Sequence, residues 1–172
     1  MRLMMILACV TSLAAAGCSK ETPTSPTGPT TTNTVFTVTL SAANEVPPIS
    51  NAEAGATGSA TITFHVTRDA AGTITASTVD FSVTMANFPA GSTARLAHIH
   101  TGAAGVGGSV LIDTGLSPAA AVAMPAGTGS FTFLGVQVSA ENTNAILANP
   151  SGYYFNVHSV LNGSGVVRGQ LR

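Results

Sequence analysis

Thr57-Gly-Ser-Ala-Thr-Ile-Thr-Phe-His-Val-Thr67 alternates without a break: Ile62, Phe64 and Val66 fall on one side, and Thr61, Thr63, His65 and Thr67 on the other. A period of two marks a half-buried strand, because successive side chains leave a strand on opposite faces. Arg68-Asp-Ala-Ala-Gly72 reads as a turn, and residues 73–85 alternate again with Val79, Phe81 and Val83 inward. Two long strands joined by a tight turn make this chain a β protein.

Outward from that hairpin the pattern repeats. Upstream, Val35-Phe-Thr-Val-Thr-Leu40 alternates as a first strand, and Ser41-Ala-Ala-Asn-Glu-Val-Pro-Pro48 follows as a loop, since a proline pair cannot donate to a sheet ladder. Downstream, Phe88-Pro-Ala-Gly91 turns the chain into Arg95-Leu-Ala-His-Ile-His-Thr101, a further strand. The glycine-dense loop 101–108 is no phosphate loop, lacking the Lys-Ser/Thr ending and any following helix pattern. Val110-Leu-Ile112 and Gly129-Ser-Phe-Thr-Phe-Leu134 are two more strands, separated by an Ala/Pro-rich stretch. Residues 139–148 form the one helical piece, with Ser139 as N-cap and Pro150 beyond its end. Tyr153 to Val160 and Val166 to Leu171 close the chain as a hairpin through Asn162-Gly-Ser-Gly165. Short strands at this spacing predict an all-β Greek-key sandwich or flattened barrel of about eight strands with one short helix.

The 172 residues suffice for one domain, and only 8% are charged, with a net charge of −1. No basic stripe runs through the chain, so nothing in it points to a nucleic-acid partner. Low charge with abundant Thr, Val and Gly suits an extracytoplasmic β domain better than a cytosolic enzyme. Both cysteines, Cys9 and Cys18, precede the domain, which therefore has neither a disulfide nor a thiolate nucleophile.

Met1-Arg2 is a short positive region, and residues 3–13 form an apolar run of signal-peptide length, too short to span a bilayer. Ala14-Ala-Ala-Gly17 then leads into Cys18 and resembles the bacterial lipobox. The resemblance implies a lipoprotein signal peptide over residues 1–17, cleavage before Cys18 and acylation of that residue. Each buried lipid methylene contributes about 0.8 kcal/mol, so two or three chains hold a protein on a membrane it does not cross. Ser19 rather than Asp after the cysteine favours the outer membrane by the lipoprotein sorting rule. Residues 18–34, with three prolines and no large apolar side chain, read as a disordered tether ahead of a β domain over 35–172.

Four motifs, Leu40-Ser-Ala-Ala-Asn-Glu-Val-Pro-Pro48, Ala97-His-Ile-His-Thr-Gly102, Gly152-Tyr-Tyr-Phe-Asn-Val-His158 and Val167-Arg-Gly-Gln-Leu171, span the folded part in order. In them the chain resembles the CHRD domain, named after chordin and found alone in many bacterial secreted proteins. The resemblance implies an all-β extracellular module with no established catalytic activity, and so a binding or structural role at the cell envelope with an unspecified protein or surface partner. Growth-factor binding, the role of the protein that carries the repeats in chordin, does not transfer to a lone domain.

Three of the four histidines lie in two of these motifs. His98 and His100 share a strand face with Leu96, and pairing with the strand of His158 brings three imidazoles together, with Tyr154 and Asn156 beside them and Tyr153 inward with Phe155. One reading is a copper or zinc site for storage, delivery or superoxide chemistry; the other is a set of polar groups that hydrogen-bond backbone and Asn156 and order the sheet. His-Xaa-His plus a later Val-His is similar to the copper ligands of Cu,Zn superoxide dismutase, but no bridging histidine or Asp-containing zinc loop is present, and Arg168 supplies a guiding charge only if it faces the histidines. His65, among threonines, reads as a solvent-side residue. Glu45 and Arg168 are expected to pair as a structural ion pair in this charge-poor domain. Glu53, Asp69, Asp80, Asp113 and Glu141 read as surface or turn residues, and no carboxylate pair or serine elbow suggests catalysis.

Overall fold

The computed structural model describes residues 28–172. The expected signal peptide, the expected lipidation site at Cys18 and most of the expected tether lie outside the described residues. Nine strands form one antiparallel sheet: β1 (Thr30–Ser41), β2 (Thr57–Arg68), β3 (Ile74–Ala86), β4 (Ser92–Thr101), β5 (Val110–Asp113), β6 (Val122–Met124), β7 (Gly129–Gln137), β8 (Tyr153–Ser159) and β9 (Val167–Gln170). One helix, α1 (Ala140–Ala148), starts at Ser139, whose hydroxyl accepts from the amide of Asn142. Among the described residues no helix is long and apolar enough to cross a membrane.

The strand order is β5-β4-β8-β9-β1-β2-β3-β7, with β6 added to the end of β4. Two well-paired halves, β1-β2-β3-β7 and β5-β4-β8-β9, meet at a single register pair, Ser41 with Arg168. So thin a seam lets the sheet curl. Phe81 on β3 and Phe155 on β8 stack with ring centroids 5.8 Å apart. They are four strand steps apart along the sheet, which would be about 19 Å if it were flat. The sheet therefore closes over its own apolar face as a flattened half-barrel, in line with the fold class read from the sequence.

That apolar face is the alternating set. Val38, Leu40, Ile62, Phe64, Val79, Phe81 and Val83 from one half meet Ala97, Ile99, Phe155 and Val157 from the other, all essentially without solvent contact. Burying side chains of this size contributes about 1.5–3 kcal/mol each against solvent exposure. The helix covers one edge through buried Ile146 and through Thr143, whose hydroxyl donates to Ser77 Oγ on β3 at 2.9 Å.

Two boundaries differ from the sequence reading. β1 begins at Thr30, not at Val35, so the last residues of the expected tether, Thr30 to Thr34, pair with Phe64 to Arg68. Thr30 to Asn33 lie exposed on both faces, where threonine's branched Cβ suits a strand without an apolar partner. The Ala/Pro-rich stretch also contains β6, three residues that pair Met124 with Ser92 and were too short to show a period.

Candidate functional site

Beneath the histidines the register is fixed by the core face. Ala97 and Ile99 of β4 and Phe155 and Val157 of β8 point into the barrel, so their neighbours point out. On that outer face Leu96 lies opposite His158, His98 opposite Asn156, and His100 opposite Tyr154. An outward face would ordinarily be wet. Here His98, His100 and His158 are only 6–7% exposed because loops fold over them.

Arg168 of β9 holds one covering loop down. Its Nη2 donates to the carbonyls of Ala103 at 2.9 Å and Val106 at 2.8 Å, and its Cζ lies 3.4 Å from the centre of the Tyr154 ring. Tyr154 in turn stacks on His100, with centroids 4.9 Å apart and planes within 7°. Gln170 adds to the clamp, its Nε2 lying 2.7 Å from each of the Gly102, Ser151 and Tyr153 carbonyls. Residues 102–108 bring no ligating side chain, but they do offer carbonyl oxygens. His100 Nδ1 donates to one of them, Gly108 O, at 3.1 Å.

A second cover comes from the β8–β9 loop. His158 Nδ1 donates to Gly163 O at 2.9 Å. That loop is latched by Glu53, buried at 2% exposure, whose Oε2 accepts from Ser159 Oγ at 2.5 Å and Asn162 Nδ2 at 2.6 Å. Glu53 is thus a buried acceptor, not the surface residue expected from sequence.

The three imidazoles converge. His98 Nδ1 and His158 Nε2 are 3.1 Å apart, and one nitrogen from each ring lies within 4.8 Å of the others. The backbone contacts fix the tautomers, because a carbonyl only accepts. His158 and His100 must carry their protons on Nδ1, which leaves both Nε2 atoms as lone pairs. His98 must then donate from Nδ1 to His158 Nε2. Burial lowers all three rings below the ordinary imidazole range: His98 to about 4, with His158 adding to the effect, while for His158 and His100 the carbonyls of Gly163 and Gly108 pull the other way. At neutral pH the site is three uncharged imidazoles.

Two buried acceptors in this network have no hydrogen-bond partner, His100 Nε2 and Asn156 Oδ1. The Asn156 amide is held from its other end, Nδ2 donating to Glu45 Oε1 at 3.5 Å. Each orphaned acceptor of this kind costs about 1–3 kcal/mol. A cation, or a donor carried on one, would relieve that cost. Shared ligation at about 2.0–2.1 Å bonds sets donor atoms about 3.4 Å apart in a tetrahedron and about 4.1 Å apart across the ion, so the widest pair would have to draw together.

The other site residues separate. His65 does not join the cluster; it bridges Asn33 Oδ1 and Asp80 Oδ2, both at 2.9 Å, on the half-exposed outer face of β2. Asp80 also accepts from the Gly135 amide at 2.7 Å, and these two contacts hold its carboxyl below the usual range. Glu45 and Arg168 do not form the expected ion pair, since the guanidinium is committed to carbonyls and Tyr154, and the carboxylate faces Asn156. Burial pushes Glu45 up to about 7, against the pull of Asn156 and Arg168. The two charges instead line one cleft of about 610 Å³ with Gln170 and Arg172, and no histidine opens into it. Because Tyr154 lies between Arg168 and His100, Arg168 does not face the histidines, and the dismutase likeness loses its guiding charge. Sequence reasoning missed Asp113, read as a turn residue: its Oδ2 is 3.9 Å from His98 Nε2 while its Oδ1 caps the turn through the Gly115 amide.

A curled antiparallel sheet with a loop-covered polar face defines an all-β module with a small enclosed polar site. A family model, the CHRD domain, matches residues 36–171, and the chain belongs to that family. No curated protein and no solved structure matches it.

Proposed function

We propose that the protein is a CHRD-domain module held at the bacterial envelope, in the outer membrane, by lipid on Cys18, with a binding or structural role there. The carrying observation is the order of parts: an apolar run ending in Ala14-Ala-Ala-Gly-Cys18, a proline-rich spacer, and one CHRD domain over nearly all the rest. Growth with an alkyne fatty acid tests the anchor. The wild type carries the label and sediments with the envelope, and Cys18→Ser loses both; an unlabelled wild type would leave a freely secreted domain.

A second reading, binding of copper or zinc by His98, His100 and His158, is favoured by one specific observation. Three uncharged, nearly buried imidazoles each turn one nitrogen toward a common point, and the His100 Nε2 there has no hydrogen-bond partner. Neutral nitrogen donors suit both metals. Titration of the purified domain with either ion should give one-to-one binding that His100→Ala abolishes.

A further inference from the structure

The hydrogen bonds around the histidines specify which nitrogen of each ring is free to bind, and the three are not equivalent. His100 and His158 spend Nδ1 on the carbonyls of Gly108 and Gly163 and offer Nε2. His98 is turned the other way, with Nδ1 toward His158 Nε2 at 3.1 Å and Nε2 toward Asp113 Oδ2 at 3.9 Å. In the metal-free protein the His98 proton must sit on Nδ1, because His158 Nε2 can only accept. The bare Nε2 then faces a carboxylate oxygen. Two acceptors facing each other do not bond, which accounts for the 3.9 Å separation.

We infer that the site takes a borderline divalent ion, Zn(II) or Cu(II), through His98 Nδ1, His100 Nε2 and His158 Nε2, and that loading moves the His98 proton from Nδ1 to Nε2, where Asp113 accepts it. The inference rests on the metal-binding reading above and adds to it the ligand atoms and a positioning residue. Proton count and charge balance within the site. The bond from Nδ1 to hydrogen breaks, a bond from Nε2 to hydrogen forms through exchange with water, and the ion takes the vacated Nδ1 lone pair. Each ring then has an acceptor behind its non-ligating nitrogen: Gly108 O, Gly163 O and Asp113 Oδ2. Such outer partners fix ring orientation and raise the basicity of the ligand, and losing one typically costs 10–100-fold in affinity. One ion thereby removes two mismatches, the orphaned His100 Nε2 and the His98–Asp113 acceptor pair.

Asp113→Asn is the decisive substitution. Its Oδ1 continues to accept from the Gly115 amide, so the turn is kept, and its Nδ2 donates to the bare Nε2 of His98. The variant therefore favours the metal-free tautomer and opposes loading. The experiment uses the domain over residues 28–172, which holds the whole core. Zn(II) titration is followed by calorimetry and by long-range proton–nitrogen NMR spectra, which distinguish the two neutral tautomers of each ring. Expected are an Nδ1–H tautomer for all three rings without metal, a change to Nε2–H at His98 alone on saturation, and an affinity 10–100-fold weaker in Asp113→Asn at unchanged thermal stability without metal. One-to-one binding with His98 unchanged, or with equal affinity in Asp113→Asn, would overturn this inference while leaving the metal reading in place. Absence of stoichiometric Zn(II) or Cu(II) binding would remove both.

Discussion

Gly169 lies where the backbone of β9 presses on β1, and a Cβ there would run into the Thr39 carbonyl and the Val38 side chain. The constraint is steric, since no positive φ is involved. Gly169→Ala should lower stability by about 1–3 kcal/mol, the usual cost of overpacking, seen as a shift of the urea midpoint at constant slope. Its neighbour Arg168 acts through both its charge and its plane. Two charge-assisted bonds to loop carbonyls and the stack on Tyr154 cannot all be replaced by a shorter or rounder side chain. Arg168→Ala should cost about 2–3 kcal/mol, and amide exchange in residues 102–108 should accelerate. If that loop kept its protection, Arg168 would not be what holds it over His100.

The loop between β8 and β9 shows how a segment can tune a site to which it supplies no ligand. Glu53 ties Ser159 and Asn162 in place, and the same loop carries the Gly163 carbonyl that orients His158. Glu53→Ala leaves one buried and one half-buried donor without their acceptor and should destabilise the domain by about 2–3 kcal/mol. It should also broaden the His158 ring resonances in NMR spectra while those of His100, held by the other loop, stay sharp. Little of this was legible in the sequence. Alternation located the long strands and the outward face of β4, because an apolar core imposes a period of two on whatever flanks it. The convergence of His98, His100 and His158 followed from strand pairing alone. The loops left no such trace. Glu53 and Asp113 act through contacts 106 and 15 residues along the chain, and residues 102–108 act through backbone carbonyls that any side chain would offer. Glu45 and Arg168 seemed a natural pair in so uncharged a chain, but the guanidinium found carbonyls and a ring nearer to hand.

For the molecule as a whole, these buried groups set how stability depends on pH. His98, His100 and His158 have folded values below that of a free imidazole, His98 near 4 against 6.5. Their contribution to stability is complete about a unit above pH 6.5 and is lost as pH falls through the folded values, because the unfolded chain binds protons first. Glu45 acts in the opposite sense. Its folded value is raised from 4.5 to about 7, so its contribution is complete below 4.5 and is lost as pH rises through 7. Between pH 4.5 and 6.5 the two effects oppose, and three rings outweigh one carboxyl. Above 6.5 the unfolded rings shed their remaining protons while Glu45 ionises in the fold, and the two changes, each on the order of 1 kcal/mol, nearly cancel by pH 8. Urea midpoints of the metal-free domain should therefore fall steeply below about pH 6.5 and change little above it. Glu45→Gln keeps an acceptor for Asn156 but removes the titration. Its midpoints should go on rising from about pH 6.5 to 8, and its acid limb should be steeper than that of the wild type, since nothing then offsets the histidines. Superimposable profiles for the two proteins would mean that Glu45 is ionised in the native state at neutral pH, and that the network behind His100 holds a full negative charge beneath Asn156.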